Sequence, residues 1–149
     1  MTDQNDEQAS PRNFKIGQVY YMNFQSCEHG QRGWRPGVIC QNNVANKYSP
    51  NIIAIPLTTV LKRTNMPTHV MLDSPDSGLS KTSMALCENL QYISKDSVGR
   101  YITTLPEVYM QEIAKAAMKS MALIAFLSVD EMATLRDQAI RLNNEGSLT

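Results

Sequence analysis

The segment Gly33-Trp34-Arg35-Pro36 holds the residues of this chain whose types and spacing best fit a chemical role. Because Pro36 restricts the residue before it to extended geometry, Arg35 is predicted to be fixed where a glycine-containing loop meets a strand. A guanidinium held in this way can bind a phosphate through two parallel N–H donors. His29, in the same loop, can donate a proton or hold a phosphate near neutral pH. Taken singly, an arginine or a histidine at these positions is more often an ordinary surface-loop residue.

Hydroxyl and carboxylate groups near other predicted strand ends are further candidates. Thr58 and Thr59 close a predicted third strand, where a hydroxyl can bond a phosphate oxygen, although threonine is also simply common in strands. Glu88 can accept a hydrogen bond from a base edge or remain a solvated carboxylate. His69 alternates with apolar neighbours inside a predicted strand, and we interpret it as structural.

The overall composition is that of an ordinary single-domain globular protein. Of 149 residues, 42% are apolar and 19% charged, and the 14 basic residues balance the 14 acidic ones. A zero net charge argues against tight non-specific binding of nucleic acid but leaves room for an enzyme with a local basic groove. The sequence contains no H-E-x-x-H, phosphate-binding P-loop or G-x-S-x-G motif, and no cluster with metal-ligand spacing. No metal site or cofactor is therefore predicted.

The cysteines and the first residues of the chain indicate where in the cell the protein is expected. Cys27, Cys40 and Cys87 are odd in number and lack a C-x-x-C pair, which favours reduced, buried thiols over disulfides or a zinc site. No stretch approaches the roughly 20 apolar residues of a membrane span. The polar residues 1–12 lack the features of a signal peptide and are predicted to form a disordered tail. The expected location is the cytoplasm.

Strands dominate the first two thirds of the folded part. Strands are predicted at residues 18–24, 36–41, 51–57, 69–72, 83–87 and 90–93, from aromatic, β-branched and short apolar runs. The intervening segments 26–34, 42–50 and 59–67 are rich in Gly, Asn or Pro and are predicted to be loops. A single helical turn is expected at residues 94–98.

The spacing of apolar residues changes from a strand pattern to a helix pattern near residue 104. Thr104 and Glu107 are spaced as a capping box, which predicts a helix that runs to residue 126. Ser128 and Glu131 form a second such box and open a last helix to about Leu142. The apolar stripe of the first helix is predicted to be core and comprises Met110, Ile113, Ala117, Met121 and Ile124. Strands followed by helices predict antiparallel pairing in an α+β, mainly β fold, or a barrel with terminal helices.

Read together, these pieces resemble the MazF/PemK family of toxin ribonucleases over residues 17–124. Their order and spacing make the resemblance specific, since no single segment is decisive. The similar segments are Gly17-Gln18-Val19-Tyr20, a Q-x-G-x-R-P stretch formed by Gln31, Gly33, Arg35 and Pro36 with Val38-Ile39 following, Asn46-Lys47-Tyr48-Ser49-Pro50, Leu57-Thr58, Pro67-Thr68-His69-Val70, and residues 83–90, which are similar to S-x-x-L-x-[ED]-Q.

The resemblance implies an SH3-like (CcdB/PemK-type) antiparallel barrel with C-terminal helices. Residues 13–126 would form the toxin domain and residues 127–149 an additional C-terminal helix. The family implies a homodimer, inhibition by a cognate antitoxin, and sequence-selective cleavage of single-stranded RNA without a cofactor. The ribose 2′-OH would attack the adjacent phosphate and leave a 2′,3′-cyclic phosphate and a 5′-OH.

The resemblance also assigns site residues. Arg35 matches the catalytic arginine, Thr58 the hydroxyl residue that completes the pair, and His29 a histidine thought to assist in some members. Arginine is a poor general base because its pKa lies above about 12, so the base stays open. The residues predicted to bind RNA are Glu28, Gln31, Trp34, Lys62, Arg63, Glu88 and Asn89.

Two departures from the family pattern keep other functions open. Gly30 stands where many members have glutamate, and Asn89 stands where glutamine is usual. A CcdB-like toxin that binds DNA gyrase shares the barrel but does not need the Arg35 and Thr58 pair. An RNA- or antitoxin-binding module that has lost catalysis is the third reading.

Overall fold

Seven short antiparallel strands form one sheet in the computed structural model, which describes residues 12–25 and 33–147. The strands are β1 (Gln18–Phe24), β2 (Gly33–Ile39), β3 (Asn51–Thr58), β4 (His69–Leu72), β5 (Ser83–Leu86), β6 (Gln91–Ser94) and β7 (Val98–Thr104). Their order is β4-β5-β3-β2-β1-β7, and β6 pairs with β3. The antiparallel α+β prediction is confirmed, and within the described residues the sheet is open, with β4 and β7 at its ends.

Among the described residues, three α-helices accompany the sheet: α1 (Asn43–Tyr48), α2 (Glu107–Met121) and α3 (Val129–Ser147). Short 3₁₀ turns lie at Cys87–Asn89, Lys95–Ser97 and Leu123–Phe126. The second of these confirms the helical turn predicted at residues 94–98. None of the described helices has the length and apolar content needed to cross a membrane.

All six predicted strands are present, with ends that differ by up to three residues. The largest difference concerns β2, which begins at Gly33 because residues 33–38 pair with β1. Arg35 therefore lies inside a strand rather than at the junction of a loop and a strand. The sequence did not predict β7, since Gly99 and Arg100 interrupt its apolar alternation and its pairing with β1 shifts register twice.

The loop predicted for residues 42–50 is wrong, because α1 lies there. Asparagines usually favour turns, but here their amides stabilise a helix. The Asn42 side chain caps α1 by accepting from the Ala45 N–H at 2.9 Å. Buried Asn46 donates to the Gln41 carbonyl at 2.7 Å and to the Asn43 side chain at 3.1 Å. These bonds replace the water that a buried amide loses.

Helix α2 covers one face of the sheet. Ile113 and Ala117 are buried as predicted, within a core that also contains Val19, Val38, Ile55 and Leu57. The opposite face packs a second cluster, which comprises Phe14, Tyr20, Met22, Phe24, Ile39, Ile52, Ala54, Ile93 and Val98. Strands β1, β2 and β3 therefore separate two apolar cores.

The ends of α2 differ from the prediction. Thr104 belongs to β7 and its hydroxyl bonds the Tyr101 hydroxyl at 2.8 Å, so it does not form a capping box with Glu107. The helix ends at Ala122, which adopts a left-handed conformation with φ of 56°. Because the chain turns there, Met121 and Ile124 are exposed and were wrongly predicted as core.

Helix α3 begins at the second predicted capping box, which is confirmed. The Glu131 N–H donates to the Ser128 hydroxyl at 3.0 Å, and the Ser128 N–H donates to the Glu131 carboxylate at 2.9 Å. The far end of α3 returns to α1, where the Asn43 side-chain amide donates to the Asn143 carbonyl at 3.0 Å.

Candidate active site

The pairing between β2 and β3 stops at Gly37 and Pro56 within the described residues, although both strands continue. Strand β2 stays paired with β1 as far as Gly33, and β3 pairs on its other edge with β5 through Thr58. Each strand is therefore held by its other neighbour while the gap between them opens. The gap forms a cleft of about 260 Å³.

Pro36 supplies a physical reason for this opening. The Cys40 N–H donates to the Ile53 carbonyl at 2.9 Å, so every second N–H of β2 points toward β3. Residue 36 falls in the same series, but proline has no N–H to donate. The bond that would extend the ladder to the Leu57 carbonyl is therefore missing.

The cleft brings together the two residues predicted as the catalytic pair. Two positions beyond the Gly37–Pro56 pair, Arg35 on β2 and Thr58 on β3 face one another. Both project toward the same face of the sheet, because residues two apart along a strand share a face. The cleft is lined by Arg35, Pro36, Leu57, Thr58, Thr59, Val60 and Ser83.

Local contacts orient the Thr58 side chain. Its Oγ1 accepts a hydrogen bond from the Val60 N–H at 3.1 Å. A hydroxyl that accepts one bond still has its own proton to donate. Thr58 is half-buried at the end of β3, so its hydroxyl can donate to a phosphate oxygen that enters the cleft.

Ser83 is a lining residue that the sequence reasoning missed. It is buried, and its hydroxyl donates to the Lys81 carbonyl at 2.9 Å. The available signal was its position at the start of the S-x-x-L segment, which the resemblance used only for alignment.

A connection of residues 59–68 joins β3 to β4 and carries the predicted RNA-binding residues Lys62 and Arg63, both exposed. Arg63 has a positive φ of 52°, and its carbonyl lies 2.9 Å from His69 Nδ1. His69 Nε2 lies 2.9 Å from the Glu88 carboxylate. Both ring nitrogens therefore face an acceptor, and each donates to its acceptor when it carries a proton.

The contacts of His69 bear on the predictions that His69 is structural and that Glu88 binds RNA. His69, whose side chain is 7% exposed, ties the β3–β4 connection to the Cys87–Asn89 turn, as expected of a structural residue. Glu88 was predicted to bind RNA, but its carboxylate is engaged by His69 in this structure. Asn89 is half-buried in the same turn.

Trp34 lies on the opposite face of β2 from Arg35. Its ring stacks on that of Tyr21, with centroids 6.0 Å apart and planes 23° apart. The Trp34 side chain is 51% exposed. The structure therefore does not place Trp34 inside the cleft beside the catalytic pair.

Three predicted site residues, Glu28, His29 and Gln31, lie outside the described residues, as does Cys27. In the part of the chain that the structure describes, no three His, Cys, Asp or Glu side chains group closely enough to hold a metal ion. Cys40 and Cys87 are free thiols, and burial raises the pKa of each to about 12.

Comparisons with known proteins show which family this chain belongs to. The model of the PemK-like, MazF-like toxins of type II toxin–antitoxin systems matches residues 15–121, so α3 lies beyond the matched region. Endoribonuclease EndoA of Bacillus subtilis (strain 168) is 31% identical over 113 residues, which cover 75% of this chain and 97% of EndoA.

Solved structures show the same fold. An endoribonuclease from a Mycobacterial species, solved in complex with its cognate antitoxin, is 26% identical with a TM-score of 0.61, covering 76% of this chain and 97% of that one. MazF from Deinococcus radiodurans is 17% identical with a TM-score of 0.68, covering 76% of this chain and 100% of that one. From the family match and the EndoA similarity together, this chain is a member of the PemK-like, MazF-like toxins of type II toxin–antitoxin systems.

Proposed function

We propose that this chain is the toxin of a toxin–antitoxin pair and acts as a sequence-specific endoribonuclease on single-stranded RNA. The observation that carries the proposal is the Arg35–Thr58 pair, which faces across the cleft between β2 and β3. The similarity to EndoA, named as an endoribonuclease, supports the same activity.

The chemistry uses groups of the RNA itself. The ribose 2′-oxygen attacks the adjacent phosphorus while its proton passes to a base. The bond from phosphorus to the 5′-oxygen then breaks, and that oxygen takes up a proton. The products are a 2′,3′-cyclic phosphate and a 5′-OH. Since the nucleophile is internal, we propose that the reaction needs no metal ion or other cofactor.

Arg35 and Thr58 have separate roles in this mechanism. The Arg35 guanidinium stabilises the negative charge that develops on the pentacovalent phosphorane, which is the kind of electrostatic effect that dominates many enzyme reactions. The Thr58 hydroxyl donates to an oxygen of the scissile phosphate and holds it in line. His29 is our candidate for assistance in proton transfer.

Binding of the RNA extends beyond the cleft. Lys62 and Arg63 lie on the connection that leaves Thr58, where their positive charges can contact phosphates on one side. Glu28, Gln31, Trp34, Glu88 and Asn89 complete the proposed RNA-binding set. A local set of this size is compatible with a chain whose net charge is zero.

The remaining proposals concern organisation and partners. Residues 13–126 form the toxin domain and residues 127–149 add a C-terminal helix. The toxin acts in the cytoplasm as a homodimer and is inhibited by a cognate antitoxin protein. The mycobacterial endoribonuclease solved with its cognate antitoxin supports the last point.

The test is to incubate the purified protein with a long single-stranded RNA in EDTA and to map the fragment ends. We expect cuts at one short sequence with 5′-OH and 2′,3′-cyclic phosphate ends, and none with Arg35→Ala. Arg136→Ala, at an exposed arginine on α3, is the matched control and should cut normally. Intact RNA from folded wild-type protein would overturn the proposal and make gyrase binding the next test.

A further inference from the structure

The Trp34–Tyr21 pair forms an aromatic surface that the proposed chemistry at Arg35 does not use. The two rings are stacked with centroids 6.0 Å apart, and Tyr21 is half-buried while Trp34 is 51% exposed. One face of the indole lies against Tyr21. About half of the Trp34 side chain is nevertheless exposed, so part of the indole is open to a ligand.

The backbone of β7 lies close to the edge of the indole. A Cβ added at Gly99 would lie 3.3 Å from Trp34 Cζ3 and 3.1 Å from the Tyr21 carbonyl. The glycine thus lets the indole edge approach the strand. The Arg100 guanidinium lies 5.5 Å from the centroid of the Tyr21 ring, which places a positive charge beside the aromatic pair.

The path of a nucleic acid connects this surface to the cleft. Trp34 and Arg35 are adjacent, so their Cα atoms lie about 3.8 Å apart and their side chains project to opposite faces of β2. Within the described residues, β3 does not pair with this part of β2. A single strand that enters the gap at Arg35 can therefore pass the open edge of β2 and reach Trp34.

We propose that Trp34, supported by Tyr21, stacks on the base of a nucleotide next to the scissile phosphate, and that Arg100 contacts a neighbouring phosphate. This proposal rests on the proposed ribonuclease function. A purine is the preferred base, since its two rings cover more of the indole face. An exposed aromatic ring beside a guanidinium is the composition that binds single-stranded nucleic acid.

The first experiment uses the fluorescence of Trp34, which is the only tryptophan of the chain. The probe is a short RNA that carries the mapped cleavage sequence with a 2′-deoxyribose at the scissile position, which prevents cleavage. We expect binding to quench the indole emission. Removing the base at one adjacent position should abolish the quench and weaken binding roughly tenfold, while removal of distant bases should not.

The second experiment compares variants in steady-state cleavage. Trp34→Leu keeps apolar bulk but loses the ring, so KM should rise roughly tenfold while kcat changes less than about threefold. Trp34→Phe should restore most of the affinity. Tyr92→Leu, which removes an aromatic side chain that is 69% exposed on β6, is the matched control and should keep the wild-type KM.

The outcomes separate the two proposals. If wild-type protein cuts RNA but Trp34→Leu retains the wild-type KM and no base removal affects the quench, the stacking site is wrong and the ribonuclease stands. If wild-type protein neither cuts nor binds the RNA, the ribonuclease itself fails. If Trp34→Leu changes only the molecular mass measured by light scattering, the ring is a protein contact and the stacking site is again overturned.

Discussion

Arg35 and Thr58 stand opposite one another two positions beyond the last described pair of the β2–β3 ladder, in a gap that lies past the end of the strand pairing. In a closed sheet these positions would be an ordinary cross-strand pair packed against its neighbours. Because the ladder ends first, their polar groups meet across a cleft that can admit a phosphate.

The cleavage rate should depend on the chemical groups of Arg35 and Thr58 rather than on the size of their side chains. Arg35→Lys keeps the charge but loses the planar pair of donors, so kcat should fall about 10²–10³-fold. Thr58→Val should lower it about tenfold or more, while Thr58→Ser should stay within a few fold of wild type. Single-turnover cleavage measures the rates, and thermal unfolding checks that each variant is folded. If Arg35→Lys were as active as wild type, the proposal that the Arg35 guanidinium stabilises the phosphorane would be wrong.

Pro36→Ala tests why the cleft is open. The backbone N–H that this variant gains can bond the Leu57 carbonyl and extend the ladder, which contributes about 0.5–1.5 kcal/mol. Alanine also makes the unfolded chain more flexible than proline does, which lowers the free energy of unfolding by about 0.4–1 kcal/mol and offsets most of the gain from the new bond. Stability should therefore change little while cleavage falls severalfold. Hydrogen exchange of the new amide tests whether the missing N–H of Pro36 ends the ladder. Slow exchange is expected, and rapid exchange would show that the ladder stays open for another reason.

His69 should hold the β3–β4 connection in place and protect it from proteolysis. His69→Leu removes both hydrogen bonds, to the Arg63 carbonyl and to Glu88, and releases the segment that carries Lys62. Trypsin should then cleave after Lys62 and Arg63 severalfold faster than in wild-type protein, as measured by limited proteolysis at a temperature where both proteins stay folded. Glu88→Gln is the control, since it keeps the bond to the Arg63 carbonyl. Unchanged proteolysis in His69→Leu would contradict this role.

The buried amides around α1 should matter for stability. Asn46 is 1% exposed and makes three side-chain hydrogen bonds, among them one accepted from Gln41 Nε2 at 3.1 Å. Asn46→Ala leaves buried partners unsatisfied, and the free energy of unfolding should fall by about 2–3 kcal/mol. Asn144→Ala, at an exposed position on α3, should cost under about 0.5 kcal/mol. Denaturant titration compares the two, and similar midpoints would refute the structural role of the amides.

The thiols of half-buried Cys40 and buried Cys87 predict a loss of stability at high pH. Burial raises the pKa of Cys40 from 9.0 to about 12, and that of Cys87 likewise, so the folded state holds both protons more tightly. This contribution to stability is complete below pH 9 and is lost as the pH rises toward 12. Thermal unfolding of wild type and of the Cys40→Ala, Cys87→Ala double variant between about pH 8 and 11 tests it. The double variant should decline less steeply, and parallel curves would argue against the shifted thiols.

Much of the fold could be predicted from local patterns. Aromatic and β-branched runs placed six of the seven strands, and the Ser128–Glu131 capping box placed the start of α3. These signals are local because side-chain shape and end-capping act within a few residues of the backbone. The resemblance, carried by short segments in a fixed order, named Arg35 and Thr58 as a pair.

Tertiary structure decided the rest. Helix α1 forms because its asparagines find buried partners, and β7 forms because β1 offers an edge; neither partner is visible in the local sequence. The same holds for the cleft, whose opening depends on where the β2–β3 ladder meets Pro36. The sequence, through its resemblance to a known family, named the residues that we propose to carry the chemistry. Only the pairing of distant strands decided that Arg35 and Thr58 meet on one face of the sheet while Trp34 stacks on the other, because register couples positions that the chain itself keeps far apart.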